Sequence, residues 1–189
     1  MSSGARLSIV DANYRFIAAA QEANARIAQR QQALALYVTI ALSLIAAMVA
    51  LSRPGGAAGG GSISWLLLGF PLASLCLLFL NFKSEAALTN IRRFLAQLEQ
   101  IDNAHERLPS FNSDPRWVNP ANSARRYQDF ASAALTAGSH ALAIAVALQT
   151  NAGQPYVVDL AVATAIAGSL ITAALLLVPR WRHEAPVKL

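Results

Sequence analysis

The chain has 189 residues, of which 55% are hydrophobic and 13% are charged, and its formal net charge is +5. Soluble domains carry charge on about a quarter of their residues, so this composition argues against an ordinary soluble protein. The basic residues lie beside apolar blocks and do not form a basic stripe with interleaved aromatic residues. This pattern argues against nucleic-acid binding and predicts the lipid bilayer as the main partner.

Four apolar blocks organise the chain. Segment 1–32 is polar and rich in alanine, which predicts a cytoplasmic helix. The blocks that follow are 33–52, 63–82, 130–149 and 157–179. Each reaches the length of about 20 residues that a helix needs to cross a hydrocarbon core about 30 Å thick. None of them alternates as a strand would, so we expect four transmembrane helices.

The basic residues predict the orientation of these spans. Of the 15 lysines and arginines, all but Arg53 lie in three regions, namely 1–32, the connector 83–129 and the tail 180–189. An even number of spans places these regions on one side, and the positive-inside rule makes that side the cytoplasm. We therefore expect an all-α polytopic protein of the inner membrane with both termini in the cytoplasm. Its spans would form two hairpins, 33–82 and 130–179, joined by cytoplasmic amphipathic helices.

The connector begins with a segment of helical periodicity, 84–108. Its apolar stripe needs a cover, for which the N-terminal helix, a second copy, a protein partner and the lipid interface are all candidates. The candidate partner-binding residues are Leu88, Ile91, Leu95 and Leu98.

The connector then becomes rich in proline. Pro109, Pro115 and Pro120 predict a loop, after which Ser123 would cap the helix that leads into the third span. Two arginine pairs border these segments and are candidate lipid- or anion-binding residues, with a role in topology alone as the alternative. The pairs are Arg92 with Arg93 and Arg125 with Arg126.

The third span is rich in alanine, glycine and serine. Small residues contribute little transfer free energy, but they permit close approach of helix backbones. We expect the third and fourth spans to pack on each other through faces of small residues. These helix-packing residues are Ala134 and Gly138 on the third span and Thr164, Gly168 and Thr172 on the fourth.

Two ionisable residues lie within or beside the last two spans. His140 is in the middle of the third span and Asp159 is near the start of the fourth, so together they are a candidate polar pathway. The alternatives are a structural histidine that bonds a neighbouring helix and an ordinary interfacial carboxylate. The histidines and the single Cys76 do not have the spacing of metal ligands, so we predict no metal and no cofactor. Catalytic motifs are also lacking, which predicts a protein that is not an enzyme.

The order of elements suggests a comparison. A cytoplasmic helix precedes one hairpin, a basic amphipathic helix leaves the membrane after Asn81-Phe82-Lys83, and a second hairpin follows. This layout resembles the small four-helix membrane effectors associated with bacterial nucleotide-signalling defence systems. The resemblance implies homo-oligomerisation and membrane disruption once a cytoplasmic partner is triggered. Two other functions stay open: a membrane immunity or scaffold protein that binds a partner through 84–108, and a small transporter or channel subunit.

Overall fold

The structure is a computed structural model, and it describes residues 3–51, 65–103, 109–150 and 155–181. Most of the connectors between the first and second and between the third and fourth apolar blocks, and most of the basic tail, lie outside these residues. The α-helices of the described ranges are α1 (Ser3–Leu51), α2 (Gly69–Glu99), α3 (Pro115–Thr150) and α4 (Pro155–Trp181). Short 3₁₀ turns at Trp65–Leu68 and Ile101–Asn103 flank α2, and these ranges contain no strand.

Four of these described elements contain a stretch long and apolar enough to cross a membrane. The prediction of an all-α chain with four membrane-length helices is confirmed at this level. The apolar residues that point away from the bundle agree with lipid as the solvent. Leu42, Leu72 and Leu170 are 61%, 65% and 66% exposed, which would be costly in water and costs nothing in hydrocarbon.

The helices extend past the predicted ends of the spans. α1 is a single helix of 49 residues that joins segment 1–32 to the first span. α2 likewise continues from the second span into the predicted amphipathic segment, so that segment is an extension of the span. Neither junction contains glycine or proline, the residues that would end a helix there. α2 ends at Glu99, and Asn103 follows with a φ of 55°, a left-handed conformation that asparagine tolerates.

The predicted proline-rich loop is wrong from residue 115 onward. α3 begins at Pro115 and includes Pro120, so Ser123 lies inside a helix and does not cap one. The cap is Asp114, whose Oδ1 accepts a hydrogen bond from the Arg116 backbone N–H at 2.9 Å. Proline suits the first helical position because its missing N–H would have no intrahelical partner there.

The core lies where the four helices meet. α1 contacts α2 and α3, and α4 contacts both α2 and α3. The contacts of α1 and α2 run in opposite chain directions, since Arg30 meets Glu85 and Tyr37 meets Ser74. The main apolar cluster consists of Tyr37, Ala41, Met48, Leu67, Phe70, Leu77, Ala143, Ala147 and Val157. A smaller cluster of Leu78, Ala133, Ile171 and Leu175 joins α2, α3 and α4.

Candidate functional site

Charged residues from three helices meet just outside the predicted spans, and we call them the junction cluster: Arg30, Glu85, Arg125 and Asp129. Arg30 Nη1 donates to Glu85 Oε2 at 3.3 Å. Arg30 Nη2 also pairs with Asp129 Oδ1, and Arg125 Nη2 pairs with Glu85 Oε1. Each oxygen of Glu85 thus serves a different guanidinium, and one network ties α1, α2 and α3 together.

The junction cluster is removed from solvent. Arg30 is 3% exposed and Glu85 is 6% exposed. Burying an ion costs several kcal/mol, which the partner charge offsets only where the geometry is complete. Loss of one partner is therefore far more disruptive than loss of a surface ion pair. The network fixes the register of the three helices at this level.

Burial also changes the acidity of this region. Desolvation raises the pKa of the Asp129 carboxyl above its ordinary value, with Arg30 opposing the rise and Glu85 adding to it. Desolvation and the nearby Arg125 charge lower the pKa of Arg92 to about 10, while Glu85 opposes this shift. Arg92 therefore shares the electrostatic environment of the junction cluster. With it included, three guanidiniums meet two carboxylates.

In each of the two predicted arginine pairs, one residue is partly buried and the other is exposed. Arg92 and Arg125 are partly buried beside Glu85, whereas Arg93 and Arg126 are exposed. The sequence interpretation did not predict Arg30, Glu85 or Asp129 as site residues, and it used Arg30 only as one of the basic residues that orient the spans. A signal was present, because opposite charges directly border three different apolar blocks.

A second polar group lies within the spans, and we call it the span cluster: Tyr37, Ser74, Thr136, Ser139 and His140. The Ser74 hydroxyl donates to Tyr37 Oη at 3.1 Å, and Tyr37 Oη lies 2.5 Å from Ser139 Oγ. Ser139 in turn donates to the Thr136 carbonyl at 3.0 Å. One consistent direction of donation therefore satisfies all three hydroxyl protons. This chain of hydrogen bonds connects α1, α2 and α3 inside the apolar region.

His140 is held by three helices. Its Nδ1 lies 2.7 Å from the Thr136 carbonyl, a contact in which Nδ1 must be the donor. Its ring meets Phe70 edge to face at a centroid distance of 6.2 Å. On the α4 side, a β-carbon built at Gly168 would lie 2.6 Å from His140 Cδ2. Nε2 is then a buried acceptor without a hydrogen-bond partner among the described residues.

The predicted polar pathway is not assembled. His140 is buried, whereas Asp159 is exposed on α4. Asp159 precedes Gly168 by nine residues, which places it roughly 13 Å along the axis of α4 from the histidine contact. The two groups are not brought together, and the hydrogen bond of His140 goes to a carbonyl of its own helix, not to a neighbouring helix.

The predicted packing faces agree with the structure on one helix only. On α4, Thr164 and Gly168 are buried, Thr172 is partly buried, and Gly168 contacts α3 through His140. On α3, however, Ala134 and Gly138 are exposed, and nothing lies within 4 Å of a β-carbon built at Gly138. The buried side of α3 instead carries polar residues, among them Ser132, Thr136 and His140. The predicted face of small residues is left outside.

The predicted partner-binding stripe also needs correction. Leu88 and Leu95 are only 2% and 5% exposed, and Ile91 and Leu98 are partly buried. The chain itself covers this stripe, which was one of the open alternatives. The large apolar side chains exposed outside the predicted spans are different ones, including Phe94, Phe111 and Trp117.

In the described part of the chain, no group of three or more His, Cys, Asp or Glu residues is placed to hold a metal ion. Comparisons of the chain with protein-family models, with curated proteins and with solved structures gave no match.

Proposed function

We propose that this chain is a non-enzymatic protein of the bacterial inner membrane that oligomerises as a membrane effector under the control of a cytoplasmic partner. Its spans form two hairpins, its termini are cytoplasmic, and it acts like the nucleotide-signalling defence effectors that its layout resembles. The observation that carries the proposal is the junction cluster. It lies where the long extensions of α1, α2 and α3 enter the apolar region.

The junction cluster supports a controlled rearrangement. Buried ion pairs are weak evidence for stability, and their best-attested role is to specify register or to form a switch. Arg30 holds both carboxylates at once, so a displacement of α1 breaks two ion pairs in one movement. Arg30 and Asp129 must then find new partners, while Glu85 keeps its ion pair with Arg125. Binding of a partner to the extension of α1 would in this way change the arrangement of the spans.

The outward face of α3 supports assembly with a second copy. Ala134, Gly138, Ala141 and Ala145 are exposed along one side of this helix, which is the least apolar of the four spans. Such a face gains little from contact with lipid, yet it allows the close backbone approach that drives helix association in membranes. A second copy that packs here through the same face would form a closed, symmetric dimer as the first step of assembly.

Membrane potential in a bacterial host tests the effector activity. We expect induced expression to depolarise the cells, and Arg30→Gln to do so at a lower level of protein because the network is already broken. Arg26→Gln is the matched control, since it removes an exposed i,i+4 pair with Glu22 on the same helix. Full polarisation with all three proteins, at equal amounts in the membrane, would refute the effector function.

Disulfide cross-linking tests the assembly. The chain has a single cysteine, Cys76, so Cys76→Ser gives a background in which one new thiol reports one position. We expect Ala134→Cys and Gly138→Cys to give covalent dimers in native membranes, and Leu170→Cys on the exposed side of α4 to give none. Equal cross-linking at all three positions would argue against a specific α3 interface.

A second candidate is the membrane immunity or scaffold protein. The observation that favours it is the exposure of Phe94, Phe111 and Trp117 outside the predicted spans, at 40%, 59% and 51%. Aromatic side chains of this kind are common anchors in protein interfaces. This function predicts stable capture of one partner with no depolarisation, and substitution of the three aromatics by alanine should abolish the capture. A transporter has less support, because His140 and Asp159 are far apart.

A further inference from the structure

Three hydrogen-bond donors in or beside the junction cluster have no partner among the residues that the structure describes. Arg30 Nε, Arg125 Nε and Asn81 Nδ2 are buried and have no acceptor within the described ranges. Arg30 is 3% exposed and Asn81 is 5% exposed, so bulk water does not solvate these groups. An unpaired buried donor costs about 1–3 kcal/mol, and more when it is charged. Three of them in one region point to a missing acceptor.

The three donors lie close together. Arg30 and Arg125 bind the two oxygens of the same Glu85 carboxylate. Asn81 and Glu85 are one helical turn apart on α2 and both are buried, which places them on the same face of that helix. The unused donors therefore surround one short stretch of α2.

The charge balance indicates the sign of the missing group. With Arg92, the region holds three guanidiniums and two carboxylates. The exposed Arg93 and Arg126 add further positive charge nearby. A ligand that offers only acceptors and carries negative charge matches both the donors and the charge excess.

We propose that the junction cluster, with Asn81 and Arg92, binds a phosphate group through Arg30 Nε, Arg125 Nε and Asn81 Nδ2. Tetrahedral phosphate presents several acceptor oxygens, and guanidinium groups bind it with directed hydrogen bonds. The partly buried Arg92 and Arg125 form the side of the site nearest to solvent. Because the site lies at the end of the apolar region, the phosphate can come from a phospholipid headgroup or from a free phosphate compound. This inference goes beyond the proposed function and does not require the protein to disturb a membrane.

Two probes distinguish the source of the phosphate. Purified full-length chain in a phosphate-free sugar detergent is titrated with inorganic phosphate, and thermal stability is recorded. The same measurement is made in nanodiscs of phosphatidylglycerol and in nanodiscs of a phosphate-free galactolipid. Stabilisation by phosphatidylglycerol alone identifies a lipid headgroup, and stabilisation by inorganic phosphate identifies a free phosphate ligand. No stabilisation by either probe would overturn the proposal.

Variants separate binding from folding. Arg125→Lys keeps the positive charge beside Glu85 but lacks the Nε–H, and we expect it to weaken phosphate binding at least about tenfold. Asn81→Leu removes an unused buried donor, so the ligand-free protein should become more stable while the stabilisation by phosphate falls. Arg26→Gln is the control, because Arg26 pairs with the exposed Glu22 away from the site, and this variant should bind like the original protein. Equal binding by all three variants would overturn the site, and the depolarisation assay would be unaffected by that result.

Discussion

Gly168 of α4 lies directly against the imidazole of His140 on α3, since a β-carbon built there would lie 2.6 Å from Cδ2 and 2.8 Å from Cγ of the ring. These ring atoms are close to the backbone of α3, so they cannot move aside as the end of a flexible side chain could. We expect Gly168→Ala to lower stability by about 1–3 kcal/mol, the usual cost of overpacking. Thermal unfolding in detergent, followed by tryptophan fluorescence, measures the change.

Gly138 provides the matched control for this prediction, because it lies on the same helix as His140 but faces open space. Gly138→Ala should leave the stability of the monomer unchanged or slightly raised. His140→Ala in the Gly168→Ala background should recover part of the loss by removing the clash. A destabilisation that persists in this double variant would show that the ring contact is not the cause.

Glu85 holds two arginines in the junction cluster, and its loss should be severe. Glu85→Gln leaves Arg30 and Arg125 with one fewer carboxylate in a buried site, and we expect a loss of about 3–5 kcal/mol. Glu22→Gln is the control, because its pair with Arg26 is an exposed i,i+4 contact worth about 0.3–0.5 kcal/mol. Similar unfolding temperatures for these two variants would show that the buried network contributes no more than a surface pair.

Asp129 and Asp114 should respond to pH in opposite directions. Burial raises the pKa of the Asp129 carboxyl in the folded protein above its ordinary value of 3.8. The stability that comes from protonating this carboxyl is therefore fully present below pH 3.8, and it is lost as pH rises through the raised pKa. The original protein should therefore gain stability relative to Asp129→Asn as pH falls. Hydrogen bonds from Arg116 lower the pKa of the Asp114 carboxyl. The stability that the ionised Asp114 contributes is therefore present above pH 3.8, and it is lost as pH falls through the lowered pKa. Relative to Asp114→Asn, the original protein should lose stability on acidification.

Unfolding temperatures of the three proteins between neutral pH and about pH 3 test the two signs. Each variant is compared with the original protein by the difference in unfolding temperature. If these two differences change in the same direction as pH falls, the assignment of Asp129 to a buried site is contradicted.

Tyr37 links three helices inside the spans. Tyr37→Phe keeps the ring but removes the hydroxyl that meets Ser139 at 2.5 Å and accepts from Ser74 at 3.1 Å. We expect a loss of about 0.6–2 kcal/mol, which spans the values for hydrogen bonds between helices in membrane proteins and in model peptides. Ser43→Ala is the control on the same helix, because the exposed Ser43 hydroxyl donates to the Thr39 carbonyl, one turn earlier in α1, and does not link α1 to another described helix. Equal stability of the two variants would mean that the chain of hydroxyls does not hold the bundle together.

The sequence predicts the membrane-length helices well, because lipid imposes a simple requirement on length and polarity. It also predicts that Gly168 packs closely, although its partner is His140 and not the small-residue face of α3. The prediction that α3 packs through Ala134 and Gly138 is wrong for a physical reason. Small residues lie on both sides of α3, so residue size alone does not select a packing face, and the structure buries the side that carries Ser132, Thr136 and His140.

The periodic pattern of apolar residues in the sequence cannot predict the junction cluster. Arg30 pairs with residues 55 and 99 positions away in the chain, and no local pattern encodes such a distance. The extent of the helices was also underestimated. Pro115 and Pro120 were interpreted as loop residues, although proline at the start of a helix is well tolerated and Asp114 supplies the cap.

The unbroken course of α1 has a mechanical consequence. At 1.5 Å per residue, its 49 residues form a rod about 70 Å long. Arg30, Tyr37 and Met48 lie along this rod and contact different neighbours at three depths of the protein. With no hinge between them, a tilt or rotation applied to the amino-terminal half reaches all three levels together. Deleting one residue before Arg30 would instead turn that half by about 100° and change which side it offers to whatever binds it.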